Sequence, residues 1–273
     1  MTKIKMGCQT YTWQMSGELY LGKLDHIISV AGAAGFQGVE PETRFLGALR
    51  DPALMREHLD HAGVELASVC LVETWCQPKE TDAEREDADW VIDYLARNFP
   101  DTILNVCPYP GSDRSDLEER QANQLACMNA LAARAAQRGV QAAYHPNSPA
   151  GSVCRTHQDY DRMLNGLDAR VLKWVPDVGH LAKGGMDPLE IIGAFRPLIA
   201  HVHYKDMAAS GEWAMMGKGV IDFEAITTFL HDTHYQGWLV VEDESREAEV
   251  APDTVAAFDG RYMKARLAPI VAR

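Results

Sequence analysis

The chain has 273 residues, of which 47% are hydrophobic, and it carries a formal net charge of -13 at pH 7. This length and hydrophobic content suit a single (β/α)8 barrel, in which a parallel sheet is surrounded by helices. The negative charge argues against general binding to nucleic acid or to anionic membranes, because both repel an acidic surface.

Strands and helices are predicted to alternate along the whole chain. The predicted strands are residues 4–11, 38–40, 65–72, 102–107, 140–145, 171–177, 199–204 and 238–242. The predicted helices are 21–34, one from 52 ended by Gly63, 81–98, 116–138, 158–167, one from 187, one from 222, and 254–267. Asp51-Pro52 and the Thr81/Glu84 pair are typical helix starts.

Repeated βα units predict a parallel sheet with helices packed outside it, and eight units are enough to close a barrel. No linker, low-complexity tract or shift in composition interrupts the pattern. We therefore expect an α/β protein with a (β/α)8 TIM barrel, and a single domain over residues 1–273.

Four residues of the metal-binding type stand at the ends of the last four predicted strands: His145, Asp177, His203 and Glu242. In a parallel barrel these ends open onto one face, where such enzymes keep their chemistry. Two imidazoles and two carboxylates on one face predict a site for a single divalent metal ion.

Several strand-end residues also have a plainer, structural interpretation. His201 precedes His203 by two positions and is equally well explained as a hydrogen-bonded core histidine. A strand-end aspartate such as Asp177 is often a helix cap, but no helix is predicted for about ten residues after it. Glu242 follows an apolar run, where a buried carboxylate needs a metal or a cation as its partner. Glu244 and Asp243 are expected to be solvated or to lie just outside the ligand set.

Several other polar and aromatic residues follow predicted strands and are candidates for substrate binding. Glu73 and Glu40 could bind substrate hydroxyls, although strand-end carboxylates are often solvated. Indole rings in the face loops could stack on a substrate, with ordinary loop packing as the alternative; these are Trp13, Trp75 and Trp213.

Hydrophobic stretches and cysteine spacing predict the cellular location of the protein. No apolar stretch approaches the ~20 residues that a membrane span requires, and the first residues do not resemble a signal peptide. The six cysteines show no CxxC pair or framework spacing, which is typical of reduced thiols. We expect a cytoplasmic protein with no membrane or nucleic-acid partner; homo-oligomerisation is left open.

Essentially the whole chain, and most specifically residues 144–245, resembles the xylose isomerase-like TIM-barrel superfamily, the sugar phosphate isomerase/epimerase group that includes inosose dehydratases. The motifs that carry the resemblance are Asp177-x-Gly179-His180, His201-x-His203-x-Lys205-Asp206, residues 216–223 and residues 237–242. The resemblance implies a divalent ion held from strands 5 to 8, with Asp177, His203 and Glu242 as three ligands and His180 as a substrate-binding histidine. Manganese is the expected ion, with cobalt, magnesium and zinc as alternatives.

The chain departs from the family pattern at the fifth strand. Epimerases of the group carry Glu-x-His there, whereas this chain has His145-Pro146-Asn147, which partly matches the Tyr-His-x-His pattern of inosose dehydratases. We expect His145 to be the fourth ligand, although a shift in register would place Ala143 at the glutamate position instead. In either case one of the two family carboxylates is absent.

The expected reaction is removal of a proton next to a carbonyl, with the divalent ion stabilising the enediolate. Glu242 is the expected base, and His180, His145 or Lys205 the acid. With one carboxylate absent, elimination from a keto sugar or keto-inositol is favoured, and a ketose isomerase or 3-epimerase is the alternative. The expected substrate contacts are His180, Asn147, Lys205, Glu73, Trp13 and Trp213.

Two other function classes are disfavoured. A DNA-repair nuclease like endonuclease IV needs a three-zinc cluster with more histidine and carboxylate ligands than these strand ends supply. A non-catalytic sugar-binding barrel would not need Asp177, His203 and Glu242, and metal analysis separates it from an enzyme because such a binder should hold no stoichiometric ion.

Overall fold

A computed structural model describes residues 4–273. Residues 1–3 lie outside the described part, so the expectation about the start of the chain is not tested there. The described chain falls into two compact units. The first consists of the residues up to Ala67 together with Val202–Arg273, and the second consists of Ser68–His201.

Most of the strands belong to two parallel sheets. In chain order the strands are β1 (Ile4–Gln9), β2 (Gly38–Glu40), β3 (Glu65–Leu66), β4 (Ser68–Glu73), β5 (Ile103–Pro108), β6 (Ala142–Tyr144), β7 (Leu172–Trp174), β8 (Val202–Tyr204), β9 (Asp206–Met207), β10 (Trp213–Ala214) and β11 (Gly237–Val241). The first unit has the order β3-β2-β1-β11-β8, and the second has β4-β5-β6-β7. All neighbours in these two sheets are parallel, whereas β9 and β10 form a short antiparallel pair.

Helices separate the strands of both sheets, as parallel pairing requires. They are α1 (Tyr11–Gln14), α2 (Leu24–Ala34), α3 (Pro52–Ala62), α4 (Asp82–Asn98), α5 (Leu117–Gln137), α6 (His157–Asn165), α7 (Val178–Lys183), α8 (Pro188–Ala194), α9 (Phe223–Asp232), α10 (Arg246–Val250), α11 (Pro252–Tyr262) and α12 (Ala268–Val271). Shorter 3-10 turns cover Thr43–Phe45, Gly47–Arg50 and Arg196–Leu198, and a π-helical turn covers Met263–Leu267. None of the helices described over residues 4–273 combines the length and the apolar character needed to cross a membrane.

Close packing in the first unit fixes the position of β2. Ala67, Trp238 and Val240 form a buried cluster. A Cβ atom on Gly38 would come within 2.5 Å of the Trp238 ring, so only glycine fits at that position. Since β2 ends two residues later at Glu40, this contact also positions that carboxylate.

The helix starts predicted from capping residues are confirmed. The Asp51 side chain accepts a hydrogen bond from the backbone N–H of Ala53, and Pro52 is the first residue of α3. Thr81 and Glu84 form the reciprocal capping box that opens α4. Gly63, with a φ of 68°, ends α3 in the left-handed conformation.

The interpretation of the segment after β7 was wrong. No helix was expected for about ten residues after Asp177, but α7 begins at the very next residue. The side chain of Asp177 is its N-cap and accepts from the backbone N–H of His180 at 2.8 Å. A six-residue helix that contains a glycine is too short to show the apolar periodicity on which the prediction relied.

Other boundaries also differ from prediction. Tyr11 begins α1 instead of extending the first strand, and the predicted third strand is divided at Ala67 into β3 and β4. The single helix expected over 254–267 starts earlier, at Pro252, and its last turn is π-helical. All six cysteines are free thiols, in agreement with the expected reduced state.

One buried carboxylate holds two loops of the second unit together. Asp159, in the first turn of α6, forms two hydrogen bonds of 2.9 Å with Arg114. It also accepts from the side chain of Gln121 and from the backbone N–H groups of Arg155 and Thr156. These bonds connect the segment after β5 to the segment after β6.

Replacing Asp159 by alanine should lower the free energy of unfolding by about 3 kcal/mol, because Arg114 would lose its carboxylate partner in a largely buried setting. Asp161→Ala, on the same helix, removes an exposed carboxylate that pairs with His157 and should cost no more than about 0.5 kcal/mol. Urea unfolding of both variants measures the difference. Equal losses would show that Asp159 does not hold the loops.

Candidate active site

The ends of β8 and β11 bring His203 and Glu242 together in the first unit. The two strands pair with Val240 opposite His203 and Val241 opposite Tyr204. Nδ1 of His203 lies 2.7 Å from Oε2 of Glu242, and both side chains are buried. These are two of the four residues that the sequence predicted as metal ligands.

Lys205 extends this buried group on the other side of Glu242. Its Nζ lies 2.7 Å from Oε1 of Glu242 and also contacts Glu244. The ring of Trp213 is 5.2 Å from the same ammonium group. Lys205 is only 1% exposed, and its ammonium group contacts both carboxylates. The direct substrate contact expected of it stays a prediction.

Glu40, at the end of β2, is a residue whose role sequence reasoning missed. It is 0% exposed, so the solvated alternative considered for it is wrong. Both of its carboxylate oxygens lie 3.1 Å from Nε2 of His203. In the sequence, the position of Glu40 directly after an apolar strand residue was the one sign that its carboxylate could be buried. Its pairing with His203 could not be seen there, because that histidine is more than 160 residues away.

The first unit therefore contains a continuous set of charged groups: Glu40, His203, Glu242, Lys205 and Glu244. Burying charged groups is costly unless each has an oppositely charged or hydrogen-bonding partner, and a bound cation is a partner of this kind for the carboxylates. A mixed set of imidazole and carboxylate donors suits manganese, cobalt and zinc.

Asp243 is buried, which excludes the solvated alternative for it and leaves a position just outside the ligand set as the prediction. It is 2% exposed, and its side chain accepts a hydrogen bond from the backbone N–H of Ser245. Burial raises the pKa of Asp243. Burial and the nearby charge of Asp243 also raise the pKa of Asp259 well above its usual range.

Asp206 anchors the long loop that follows β9. Its carboxylate accepts from the backbone N–H groups of Met207 and Gly219, each at 2.8 Å. Burial raises the pKa of Asp206, although these hydrogen bonds act in the opposite direction. The loop of residues 207–219, which carries Trp213, is therefore tied at both ends to one buried side chain.

The second unit brings together His145, Asp177 and His180. Oδ1 of Asp177 caps α7, and its Oδ2 lies 3.7 Å from Nε2 of His145 and 3.9 Å from Nε2 of His180. Both separations exceed hydrogen-bonding distance. Nδ1 of His180 is 2.8 Å from Oγ of Ser148, which fixes the orientation of the ring.

Asn147 is engaged with the loops around it. Its amide nitrogen donates to the carbonyl of Pro108 at 2.7 Å, and its amide oxygen accepts from Ser152. Cys107, at the end of β5, was not considered from the sequence. A hydrogen bond with Cys70, supported by others to His145 and Asn147, holds the pKa of the Cys107 thiol well below its usual range.

The predicted aromatic contacts divide into buried and half-exposed rings. Trp13 and Trp75 are both 0% exposed, and the indole N–H of Trp13 donates to Asp253 at 2.7 Å. This corrects the expectation that Trp13 stacks on a sugar, because a fully buried ring offers no surface for it. Trp213 is half-buried. His201 is fully buried, as its interpretation as a core histidine requires.

The chain was also compared with known proteins. The family described as xylose isomerase-like TIM barrel matches residues 28–265. The chain belongs to this family. The (β/α)8 fold class predicted from the sequence is thereby confirmed, whereas the single-domain organisation stays a prediction.

Relatives and solved structures agree with this assignment. The chain is 25% identical to an inosose dehydratase of Clostridium botulinum (strain Alaska E43 / Type E3), over 96% of this chain and 97% of that protein. It is similar in fold to the E. coli 3-keto-D-glucoside 4-epimerase YcjR, with a TM-score of 0.75, 17% identity, and coverage of 96% of this chain and 99% of the other. The IolI protein, solved with a zinc atom, has a TM-score of 0.72, 15% identity and 98% coverage of both chains.

Glu73, at the end of β4, is a candidate carboxylate with a pKa near neutrality. Partial burial and the neighbouring Asp87 and Glu84 raise the pKa of Glu73 to about 7. In the unfolded chain a glutamate titrates near 4.3. The folded state therefore binds more protons between these values, and stability should fall as the pH rises through about 7.

Glu73→Gln should abolish this pH dependence and raise the free energy of unfolding at pH 8 by about 1 kcal/mol, after allowance for the solvent-exposed part of the side chain. Glu86→Gln, an exposed position on α4, is the control. Urea unfolding from pH 4.5 to pH 8 gives both curves. If the wild-type and Glu73→Gln curves run parallel across that range, Glu73 is not the titrating group.

Proposed function

We propose that this chain is a divalent-metal-dependent dehydratase that acts on a keto sugar or keto-inositol. The observation that carries the proposal is the buried set of imidazole and carboxylate groups around His203 and Glu242, which are donors that suit a divalent cation. The inosose dehydratase relatives support an enzyme of this family that acts on sugars or cyclitols. The alternative, a ketose isomerase or 3-epimerase, needs the same ion and the same proton abstraction.

The proposed ligands are His203 and Glu242 from the first unit and His145 and Asp177 from the second. The reason for assigning both pairs to one ion is the fold class, because the strand ends of a (β/α)8 barrel open on one face. Manganese is the proposed ion, and the zinc of the IolI neighbour keeps zinc as the first alternative.

The ion and the side chains have different roles in the proposed reaction. A bound divalent ion would polarise the substrate carbonyl and lower the cost of removing the adjacent proton. Glu242 is the proposed base, with Lys205 holding its carboxylate in place. His180 is not a proposed ligand, and Ser148 orients its ring. We therefore assign His180 the role of general acid, which donates a proton to the departing hydroxyl group.

Substrate contacts are proposed for the polar residues near these groups. His180 and Asn147 lie in the second unit, and Trp213 lies beside Lys205 in the first. Glu73 is also retained, since a carboxyl with a pKa of about 7 can both donate and accept hydrogen bonds with sugar hydroxyls near neutral pH.

Asp177 has two roles here, as the N-cap of α7 and as a proposed metal ligand, and substitutions can separate them. Asp177→Asn keeps the N-cap of α7, since asparagine caps as well as aspartate, but it removes the charge that favours a cation. Asp177→Ala removes both. Affinity for zinc should fall in both variants by at least the roughly 10–100-fold typical for loss of a ligand's outer partner. Only the alanine variant should lose a further ~1 kcal/mol of stability without metal.

Metal content after dialysis measures the zinc affinity of the Asp177 variants. Urea unfolding in the presence of chelator measures their stability without metal. Retention of wild-type zinc affinity by Asp177→Asn would contradict its role as a ligand. Equal stability of the asparagine and alanine variants would contradict its role as a cap.

The proposed base is tested by Glu242→Gln, which keeps the shape of the side chain and removes its charge. Turnover should fall by about 100-fold or more, and substrate binding far less. The measurement is NMR of zinc-loaded protein with a panel of keto-inositols and 3-keto sugars in deuterated water. Glu212→Gln, an exposed residue that pairs with Arg246, is the control.

The same spectra distinguish the two reactions. Elimination gives an unsaturated or rearranged carbonyl product that has lost water, whereas an isomerase gives a product with every oxygen retained. Wild-type turnover by Glu242→Gln would contradict the role of Glu242 as base. A wild-type protein that holds no stoichiometric divalent ion would contradict the proposed function itself.

A further inference from the structure

The buried carboxylate of Glu40 has no assigned role in the proposed chemistry. It stands at the last position of β2, pairs in register with Gln9 of β1, and has no exposed surface. A carboxylate in such a position is retained only when charged or hydrogen-bonding partners offset its desolvation. His203 is such a partner, at 3.1 Å from both carboxylate oxygens.

The two nitrogens of His203 face different carboxylates. Nε2 faces Glu40, and Nδ1 lies 2.7 Å from Glu242. In a neutral imidazole one nitrogen carries a proton and the other has a lone pair, and the hydrogen bond made by the first decides which is which. A metal-binding imidazole needs the lone pair on the side of the ion.

We infer that Glu40 is a positioning residue, which accepts a hydrogen bond from Nε2–H of His203 and so directs the Nδ1 lone pair toward the ion beside Glu242. This inference rests on the proposed function, since it presupposes a metal site that includes His203 and Glu242. Histidine ligands of metals commonly donate their other N–H to a carboxylate, which fixes the ring and increases its basicity as a ligand.

The geometry separates this role from direct ligation by Glu40. The two ring nitrogens of an imidazole point away from each other, so an ion bound at Nδ1 lies on the side of the ring opposite to Glu40. Glu242 is on the ion's side and Glu40 is not. Glu40 therefore acts on the ion through His203 and does not contact the ion.

The first test needs no substitution. Nitrogen-15 NMR of the histidine side chains in the zinc-loaded wild-type protein reports which nitrogen of His203 carries the proton, with His203→Gln used to assign its signals. We expect the proton on Nε2 and the metal-shifted signal on Nδ1. A proton on Nδ1 would overturn the inference even if the protein binds zinc at full stoichiometry.

The second test compares Glu40→Gln with Glu65→Gln, an exposed control on the neighbouring strand β3 that pairs with Lys5. Zinc affinity, measured by competition with a chromophoric chelator, should fall by roughly 10–100-fold in Glu40→Gln and stay unchanged in the control. The His203 signals should shift or broaden at the same time, because glutamine can present either an acceptor or a donor to Nε2. A purely structural role would instead lower stability without metal and leave both affinity and tautomer unchanged.

Glu40→Asp covers the case in which Glu40→Gln does not fold. It keeps the charge but is one methylene shorter, so the hydrogen bond to Nε2 should lengthen and zinc affinity should fall again. Unchanged affinity in a folded Glu40 variant would overturn this inference and leave the proposed function standing. A wild-type protein without a zinc site would overturn the proposed function first.

Discussion

The burial of several carboxylates around one imidazole and one ammonium is the constraint on which the first unit's site depends. Glu40 and Glu242 are held at or just beyond strand ends and are buried, whereas Glu244 is partly exposed. Lys205 and His203 contact these carboxylates directly. A divalent cation is a further partner that would offset the cost of burying them.

Asp177 combines a structural role with a proposed chemical role. Asp177 starts α7 with one carboxylate oxygen while the other faces His145 and His180. This arrangement fixes the carboxylate through the backbone, which is more rigid than a contact between two side chains. A substitution that removes the capping oxygen is therefore expected to lower stability as well as the proposed metal binding, whereas asparagine keeps the cap.

Loops in both units are held by single buried aspartates. Asp159 fastens the segments after β5 and β6 through Arg114 and two backbone N–H groups. Asp206 does the same for the loop that carries Trp213. Hydrogen bonds from a buried carboxylate to backbone N–H groups leave such a loop few alternative conformations, which suits loops that have to present side chains to a substrate.

The amino-acid sequence by itself determined the order of elements, the capped starts of α3 and α4, and the four strand-end residues proposed as ligands, because periodicity, capping and strand ends are local properties. It did not reveal α7, whose six residues are too few for a periodic signal, or the burial of Trp13 and Asp243. The contact between Glu40 and His203 and the pairing of Lys205 with Glu242 were decided only by the tertiary structure. Residues far apart in the chain meet there through sheet register and close packing, which no local pattern encodes.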